Sequence, residues 1–183
     1  AEILIDVFHN VAGELANLRQ TKNEEIQQQV NKVNEICKEI YNLNLEIGTV
    51  ELNNQNANDS RDRRDLLLKD LSKIIDISVI ENDIGQVTVT TSGNIIVSPV
   101  SYQGLETTSV TTRLSDGTTV IETGVRFSDS KKIFNPQSGM IKGLFESRDK
   151  VIPEYQKQLD TLANSLVEKV NDLHSKGYNL KGF

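Results

Sequence analysis

A stripe of apolar residues with heptad spacing constrains the fold of this chain more than any other feature. It begins at Ile26 and ends at Ile47, and its members recur at alternating steps of four and three residues. The members are Ile26, Val30, Val33, Cys37, Ile40 and Ile47, with Asn44 in the remaining place. This spacing predicts an α-helix that buries one narrow face. A helix over residues 23–47 would be roughly 37 Å long, so it needs packing partners along its length.

The chain upstream of this stripe carries apolar residues at compatible spacing. They are Phe8, Val11, Leu15 and Leu18. The pattern predicts either the same helix or a separate piece joined near Thr21, and Gly13 leaves that boundary open. Gly48 is expected to end the helix.

Two residues of the stripe have more than one interpretation. Asn44 either fixes the register of the packing or faces solvent near a fraying end, and we favour register. Cys37 has no second cysteine to pair with, so we expect a small buried apolar side chain.

A second helix is expected after the polar loop over residues 53–58. Asn58, Asp59 or Ser60 would cap it, and it should end near Ile75. Its buried side would be Leu66, Leu67, Leu71 and Ile74.

The apolar period then changes to two, which predicts short antiparallel strands. The first three centre on Ile77 to Val79, Val87 to Val89 and Ile95 to Val97, with polar turns between them. Further strands are expected over residues 110–114, 118–122 and 125–127, with a hairpin turn at residues 115–117. The β-rich stretch should end near Asn135-Pro136.

A final helical region should start at Ser138, acting as its cap, and end at Gly177. Pro153 predicts a kink or a break near Val151. Its apolar seam comprises Leu159, Leu162, Leu166, Val170 and Leu173.

The expected fold is α+β: an elongated helical bundle of N- and C-terminal helices with an inserted antiparallel β-rich domain. Residues 1–75 and 138–183 would form a discontinuous helical rod, and residues 76–137 the insert. We expect the Ile26 to Ile47 stripe to pack against the Leu159 to Leu173 face.

Charge and composition argue against several classes of partner. The formal net charge of -6 disfavours nucleic-acid binding, which depends on clustered Lys and Arg. No apolar run approaches the roughly 20 residues of a membrane span, and no signal peptide is evident at the start. We therefore expect neither a nucleic-acid nor a membrane partner.

Residue patterns for catalysis are not evident in the sequence. No phosphate-binding glycine motif, HExxH motif or paired-cysteine zinc pattern occurs. His9 and His174 lie on helix flanks without a nucleophile motif nearby. We predict a structural protein that is not an enzyme and uses no cofactor or metal.

Two Arg-Asp pairs recur at distant points of the chain. Arg148-Asp149 repeats Arg64-Asp65, and this second pair could tie helices within one subunit or tie two subunits together. Arg61 and Asp65 also stand four residues apart, a spacing at which opposite charges pair on a helix.

Two segments of the sequence resemble the bacterial flagellar hook-associated protein 1 family. The first comprises residues 40–44, Asn58-Asp59 and Arg64-Asp65 before the leucine helix, with Arg63 where the family usually has Gln. Residues 85–97 are similar to the family's first strand pair. The second segment places Gly143, Arg148, Asp149, Asp160, Asn171, His174 and Gly177 in the family's order.

The resemblance implies a structural adaptor whose subunits form a ring that joins hook to filament outside the cell. Its partners would be copies of itself, the hook protein and the second junction protein. It would leave the cell through the flagellar export channel without a cleaved signal peptide, helped by an export chaperone that binds outside this sequence.

The resemblance also implies a central fragment, monomeric by itself, that lacks both tube-forming terminal segments. The absence of Met at the start agrees with that expectation. Two alternatives remain open: another axial flagellar protein, either the second junction protein or a flagellin-like one, and a secreted helical scaffold or adhesin with a ligand-binding β insert.

Overall fold

The computed structural model describes residues 2–53, 55–113, 117 and 119–177. Within them the chain forms four α-helices, one π-helical turn and five strands. The helices are α1 Glu2–Leu52, α2 Asn58–Ile74, α3 Met140–Glu146 and α4 Ile152–Lys176, with the π turn at Ser147–Val151. The strands are β1 Ser78–Glu81, β2 Val87–Thr91, β3 Asn94–Val97, β4 Leu105–Arg113 and β5 Thr119–Phe127. The predicted α+β class, with an antiparallel β insert between helices, is confirmed.

Helix α1 is continuous over 51 residues. It passes through Gly13, so the N-terminal stretch belongs to the same helix as the heptad stripe. The expected end at Gly48 is wrong, because the helix continues to Leu52. Gly48 is buried, and a Cβ there would collide with the side chain of Gln86. The glycine therefore permits close packing of the loop before β2 and does not terminate the helix.

The heptad stripe of α1 is almost completely buried, with exposed fractions of 0–1%. Most of the stripe shares one hydrophobic core with α2, α3 and the strands, and only Ile47 lies in a smaller cluster with Leu43 and Ala57. The strands thus help to build the core of the helices. The boundaries predicted for a separate rod and insert stay a prediction.

The predicted packing of this stripe against α4 is wrong. Leu162, Val170 and Leu173 are 57%, 43% and 69% exposed, and Leu159 and Leu166 are only half-buried. The reason is that α4 packs beside the other half of α1, where Gln156 and Ala16 line the same groove. We call residues 2–22 of α1 together with α4 the stalk, and residues 23–146 the body.

The strands form two antiparallel sheets. Strands β1, β2 and β3 make a three-stranded sheet in sequence order, while β4 and β5 pair as a hairpin from Leu105↔Phe127 to Arg113↔Thr119. Strand β4 begins earlier than expected, and β5 is one strand where two were predicted. Gly124 lies inside β5, where a Cβ would collide with Val110 of β4, so it marks close strand packing and not a break. The predicted turn at residues 115–117 lies largely outside the described residues.

Three asparagine side chains of α1 dock the strands onto the helix. Asn44 donates to the carbonyl of Val87 at 2.7 Å and accepts from the Val87 N–H at 2.9 Å. Asn34 makes the same pair of bonds with Leu105, at 2.8 and 2.7 Å. Asn23 accepts from the N–H of Thr123 at 3.0 Å. Because Asn44 is fully buried, its position in the stripe serves register and not solvent contact.

The helix caps differ from the predicted ones. The cap residue of α2 is Ala57, whose N–H donates to Glu51 at 3.2 Å, so Asn58, Asp59 and Ser60 lie inside the helix. Ser138 does not cap α3 either, since Gly139 occupies that position with φ 87. A Cβ on Gly139 would lie 2.6 Å from the carbonyl oxygen of Ile74. Close backbone approach therefore decides where α3 begins.

Near Val151, where a kink or a break was expected, the C-terminal helical region changes from α-helical to π-helical hydrogen bonding. The π turn separates α3 from α4, and Pro153 lies in the first turn of α4, where proline is tolerated. Gly177 follows the last residue of α4, as predicted. In the described part of the chain, the helices are all too short or too polar to cross a bilayer.

Replacing Asn44 tests whether the amide docking holds β2 on α1. Asn44→Ala would leave two backbone groups of Val87 buried without partners, at about 1–3 kcal/mol each, so we expect a loss of about 2–6 kcal/mol in unfolding free energy. Urea denaturation followed by circular dichroism measures it. Asn42→Ala, at an exposed position of the same helix, should change stability by less than about 0.5 kcal/mol. Equal effects of both substitutions would contradict the docking role.

Candidate functional site: two arginine clamps and an exposed helix pair

The first Arg-Asp pair forms a buried contact between α2 and the β1–β2 turn, which we call the Arg64 clamp. Arg64 is 2% exposed and donates to the carbonyl oxygen of Gly85. It also donates to Glu81 of β1 at 3.3 Å and to Asp65 at 3.0 and 3.1 Å. A buried guanidinium is costly unless its donors are satisfied. These acceptors supply that compensation.

Arg61 extends this contact to the end of α1. It donates to Glu81 at 2.6 Å and to Glu51 at 3.1 Å. The hydrogen bond from the Ala57 backbone N–H is the main reason why the pKa of Glu51 lies below its ordinary value, and Arg61 lowers it further. The expected pairing of Arg61 with Asp65 is wrong, because Asp65 is bonded to Arg64.

The second Arg-Asp pair lies in the π turn, and we call it the Arg148 clamp. Arg148 is 5% exposed and donates to the carbonyl oxygen of Thr123 at 2.6 Å and to the side chain of Asn23 at 2.8 Å. Asp149 accepts two further bonds, at 2.7 and 3.0 Å. The guanidinium also lies 5.1 Å from the ring centroid of Phe145, within range of a cation–π interaction.

Glu122 of β5 completes the charge balance of the Arg148 clamp. It is 4% exposed, accepts from Arg19 at 2.6 Å, and lies 3.7 Å from Arg148. Burial raises the pKa of Glu122. The hydrogen bonds from Arg19 and Thr112, with the charges of Arg148 and Arg19, outweigh that effect and bring the pKa below its ordinary value of 4.5. The carboxylate is therefore charged at neutral pH.

The two clamps are built in the same way. In each, a helical arginine reaches a strand or turn carbonyl and a strand glutamate, while the aspartate that follows it binds the same guanidinium. Since Arg64 and Arg148 are 2% and 5% exposed, their side chains are engaged within the subunit. Of the two interpretations open from sequence, the structure shows intramolecular ties.

The other positions singled out by the resemblance lie at the surface. They are Asn58, Asp59, Gly143, Asp160, Asn171, His174 and Gly177. Asp160, Asn171 and His174 are on α4, apart from both clamps. His9 is exposed on α1. Among the described residues, no cluster of His, Cys, Asp and Glu is placed to hold a metal ion.

The stalk exposes much of its apolar surface. One row is half-buried between its two helices: Phe8, Leu15, Leu159, Ala163 and Leu166. Beside it lie apolar side chains that are 37–69% exposed: Val11, Leu18, Tyr155, Leu162, Val167, Val170 and Leu173. Sequence reasoning missed this surface because heptad spacing predicts burial of the seam without showing how many helices surround it.

The fold is similar to that of a solved flagellar protein. The structure of the flagellar hook junction protein FlgK from Burkholderia pseudomallei matches with a TM-score of 0.72 at 24% identity, covering 93% of this chain and 31% of that chain. At this identity the likeness concerns the fold alone, which is that of part of a hook-junction protein.

Comparison of the sequence with family models identifies the family of this chain. The family model described as "Flagellar hook-associated protein FlgK helical domain" matches residues 1–183, and the chain belongs to this family. Flagellar hook-associated protein 1 of Salmonella typhimurium (strain LT2) and that of Salmonella typhi are each 27% identical over 187 residues. These matches cover all of this chain and 34% of each relative, so the chain spans about a third of their length. The resemblance drawn from the motifs is confirmed.

The depressed pKa of Glu122 predicts a specific loss of stability in acid. Its contribution is fully present above the unfolded-state pKa and is lost as pH falls through the lower folded-state pKa. We expect Glu122→Gln to be less stable than the wild type at neutral pH and to lose less stability below about pH 4.5. Urea denaturation between about pH 7 and pH 3 measures how the unfolding free energy of the wild type and of the variant depends on pH. Glu168→Gln, on the exposed side of α4, should keep the wild-type profile; a parallel profile for Glu122→Gln would refute the assignment.

Proposed function

We propose that this chain is a structural domain of a hook-associated protein that joins hook to filament in the bacterial flagellum. Family membership over the full chain supports the structural role, and the relatives carry the names hook-associated protein 1 and hook junction protein. The proposed partners are further copies of the protein in a ring, the hook protein and the second junction protein.

The observation that carries this proposal is the exposed apolar surface of the stalk. Contiguous exposed apolar residues on a folded protein mark contact sites. A pair of helices with a half-buried seam and neighbouring apolar side chains is suited to pack against further helices. We infer that the stalk contacts helices of neighbouring subunits, with different faces meeting so that a ring can close.

The route of assembly follows from the same proposal. The protein would act outside the cell, at the flagellum, after export through the flagellar channel without a cleaved signal peptide. The export chaperone would bind a part of the protein beyond this sequence. The role is mechanical and assigns no catalytic residue, cofactor or metal.

Charge substitutions on the exposed stalk residues test the proposal in the full-length protein. Leu18→Glu and Leu162→Glu place a carboxylate at side chains that are 43% and 57% exposed, so the subunit should fold while the apolar contact is lost. In a strain that lacks its own copy of the protein, we expect these variants to give hooks without filaments and loss of swimming.

The matched controls are Asn17→Glu and Ser165→Glu, which add the same charge at exposed polar positions of the same helices. They should retain filaments. Immunoblots of exported protein separate defects of assembly from defects of export. Normal filaments with both leucine variants would overturn the stalk as the assembly surface.

A further inference from the structure

The register of α4 on α1 depends on few contacts within the stalk. Beyond Ile152 no side chain of α4 is fully buried, and the seam with α1 is only half-buried. A half-exposed heptad seam specifies register weakly, because a shift by one heptad places similar residues in contact. Something other than the seam must determine where α4 begins on α1.

The connection that leads into α4 departs from regular α-helical hydrogen bonding. The π turn at Ser147–Val151 replaces the regular helical bonding pattern, and the N–H of Ile152 reaches back to Ser147. Pro153 follows directly and has no N–H to donate, so the helical hydrogen-bond ladder is interrupted at this point. The backbone stays helical through this connection, but fewer hydrogen bonds link α3 to α4 than in a regular α-helix.

The Arg148 clamp lies at that connection and joins three parts of the molecule. Arg148 comes from the π turn, Glu122 and Thr123 from β5 of the body, and Asn23 from the point where α1 enters the body. Arg19, on the stalk half of α1, binds the same Glu122. The side chains of Arg19, Glu122 and Arg148 are 9%, 3% and 6% exposed, so these ion pairs are shielded from solvent.

We propose that Arg148 is a positioning residue that sets the start, and hence the register and direction, of α4 against α1. The guanidinium fixes the π turn to Thr123 and Asn23 at the same time, and only one placement of the turn satisfies both acceptors. A fixed register of α4 would also hold the apolar surface of the stalk in one orientation for assembly, and this consequence rests on the proposed function. The positioning itself is a property of the single chain.

Distances between spin labels on the 183-residue chain test this proposal directly. Ser165→Cys on α4 and Lys38→Cys on the body half of α1 are exposed labelling positions. Their separation along α1 is on the order of 45 Å, since Gln156 lies beside Ala16 and each residue rises 1.5 Å. A second pair, Asn10→Cys with Lys38→Cys, reports the straightness of α1 alone.

The native cysteine does not interfere with this labelling. Cys37 is fully buried, and burial raises the pKa of its thiol to about 12, so it stays protonated and unreactive. The wild-type chain should accordingly take up no label while folded.

We expect Arg148→Ala to broaden the 165–38 distance distribution or to shift it by about 5 Å or more, one helical turn, while the 10–38 distance stays the same. Arg64→Ala is the matched control, because it removes an equivalent clamp inside the body. It should lower stability to a similar extent and leave both distances unchanged.

Arg148→Lys provides a second variant that preserves the charge and the fold. Lysine cannot reproduce the geometry of the guanidinium toward Thr123, Asn23 and Asp149. The 165–38 distance distribution should therefore change as it does in Arg148→Ala, but to a smaller extent. An unchanged 165–38 distance in Arg148→Lys and in folded Arg148→Ala would overturn the positioning role. Because these distances are measured without assembly, that outcome is distinct from failure of the proposed function.

Discussion

The hydrogen bonds between asparagine side chains of α1 and the backbones of the strands are the interaction on which the rest of the structure depends. The side-chain amide of asparagine carries an NH2 donor group and a carbonyl acceptor side by side, so Asn34 and Asn44 each satisfy the N–H and C=O of one strand residue. Buried backbone groups without partners would be costly. Helix α1 therefore supplies what a neighbouring strand would supply at Leu105 and Val87. This is why a three-stranded sheet and a separate hairpin can share its core.

The two arginine clamps complete this attachment at its ends. The Arg64 clamp fixes the β1–β2 turn to α2, and the Arg148 clamp fixes β5 to the π turn. In both, the arginine is buried and the glutamate it meets belongs to a strand. Removing one partner of such a pair is costly because the remaining charge is left without compensation, typically about 3–5 kcal/mol. The repeated Arg-Asp pair in the sequence thus corresponds to a repeated contact, in which a buried helical arginine meets a glutamate of a strand.

The sequence identifies which residues are buried more securely than it identifies their partners. Heptad spacing correctly places Ile26, Val30 and Ile40 in the core, but strands and α2 cover them where α4 was expected. Spacing specifies a face and not what packs on it. Gly48 was expected to end α1, and two strands were expected where β5 runs through Gly124, although each glycine permits the close approach of another segment. That requirement appears only when both segments are in place.

The candidate site shows the same limit. The Arg-Asp repeat was visible in the sequence, yet its acceptors, Gly85 and Thr123, lie 21 and 25 residues away and depend on the hairpin geometries. Residues of the exposed stalk surface, such as Leu162, were predicted to be buried because they have the spacing of a buried seam. Whether that position is covered depends on the number of helices beside it. Apart from the adjoining π turn, the element with substantial contact to α4 among the described residues is α1.

The two helices of the stalk differ in what keeps them formed. Residues 2–22 extend a helix that is already nucleated in the core, and adding residues to an existing helix requires no new nucleus. Helix α4 begins at the end of a π turn and carries Pro153 in its first turn, so fewer backbone hydrogen bonds link it to α3 than in a regular α-helix. Its order must come from the half-buried seam and from its anchored first turn, where Ile152 is buried beside the Arg148 clamp. The buried charges of Arg148 and Glu122 therefore lie where regular α-helical hydrogen bonding is interrupted, and they add a directional contact at that point.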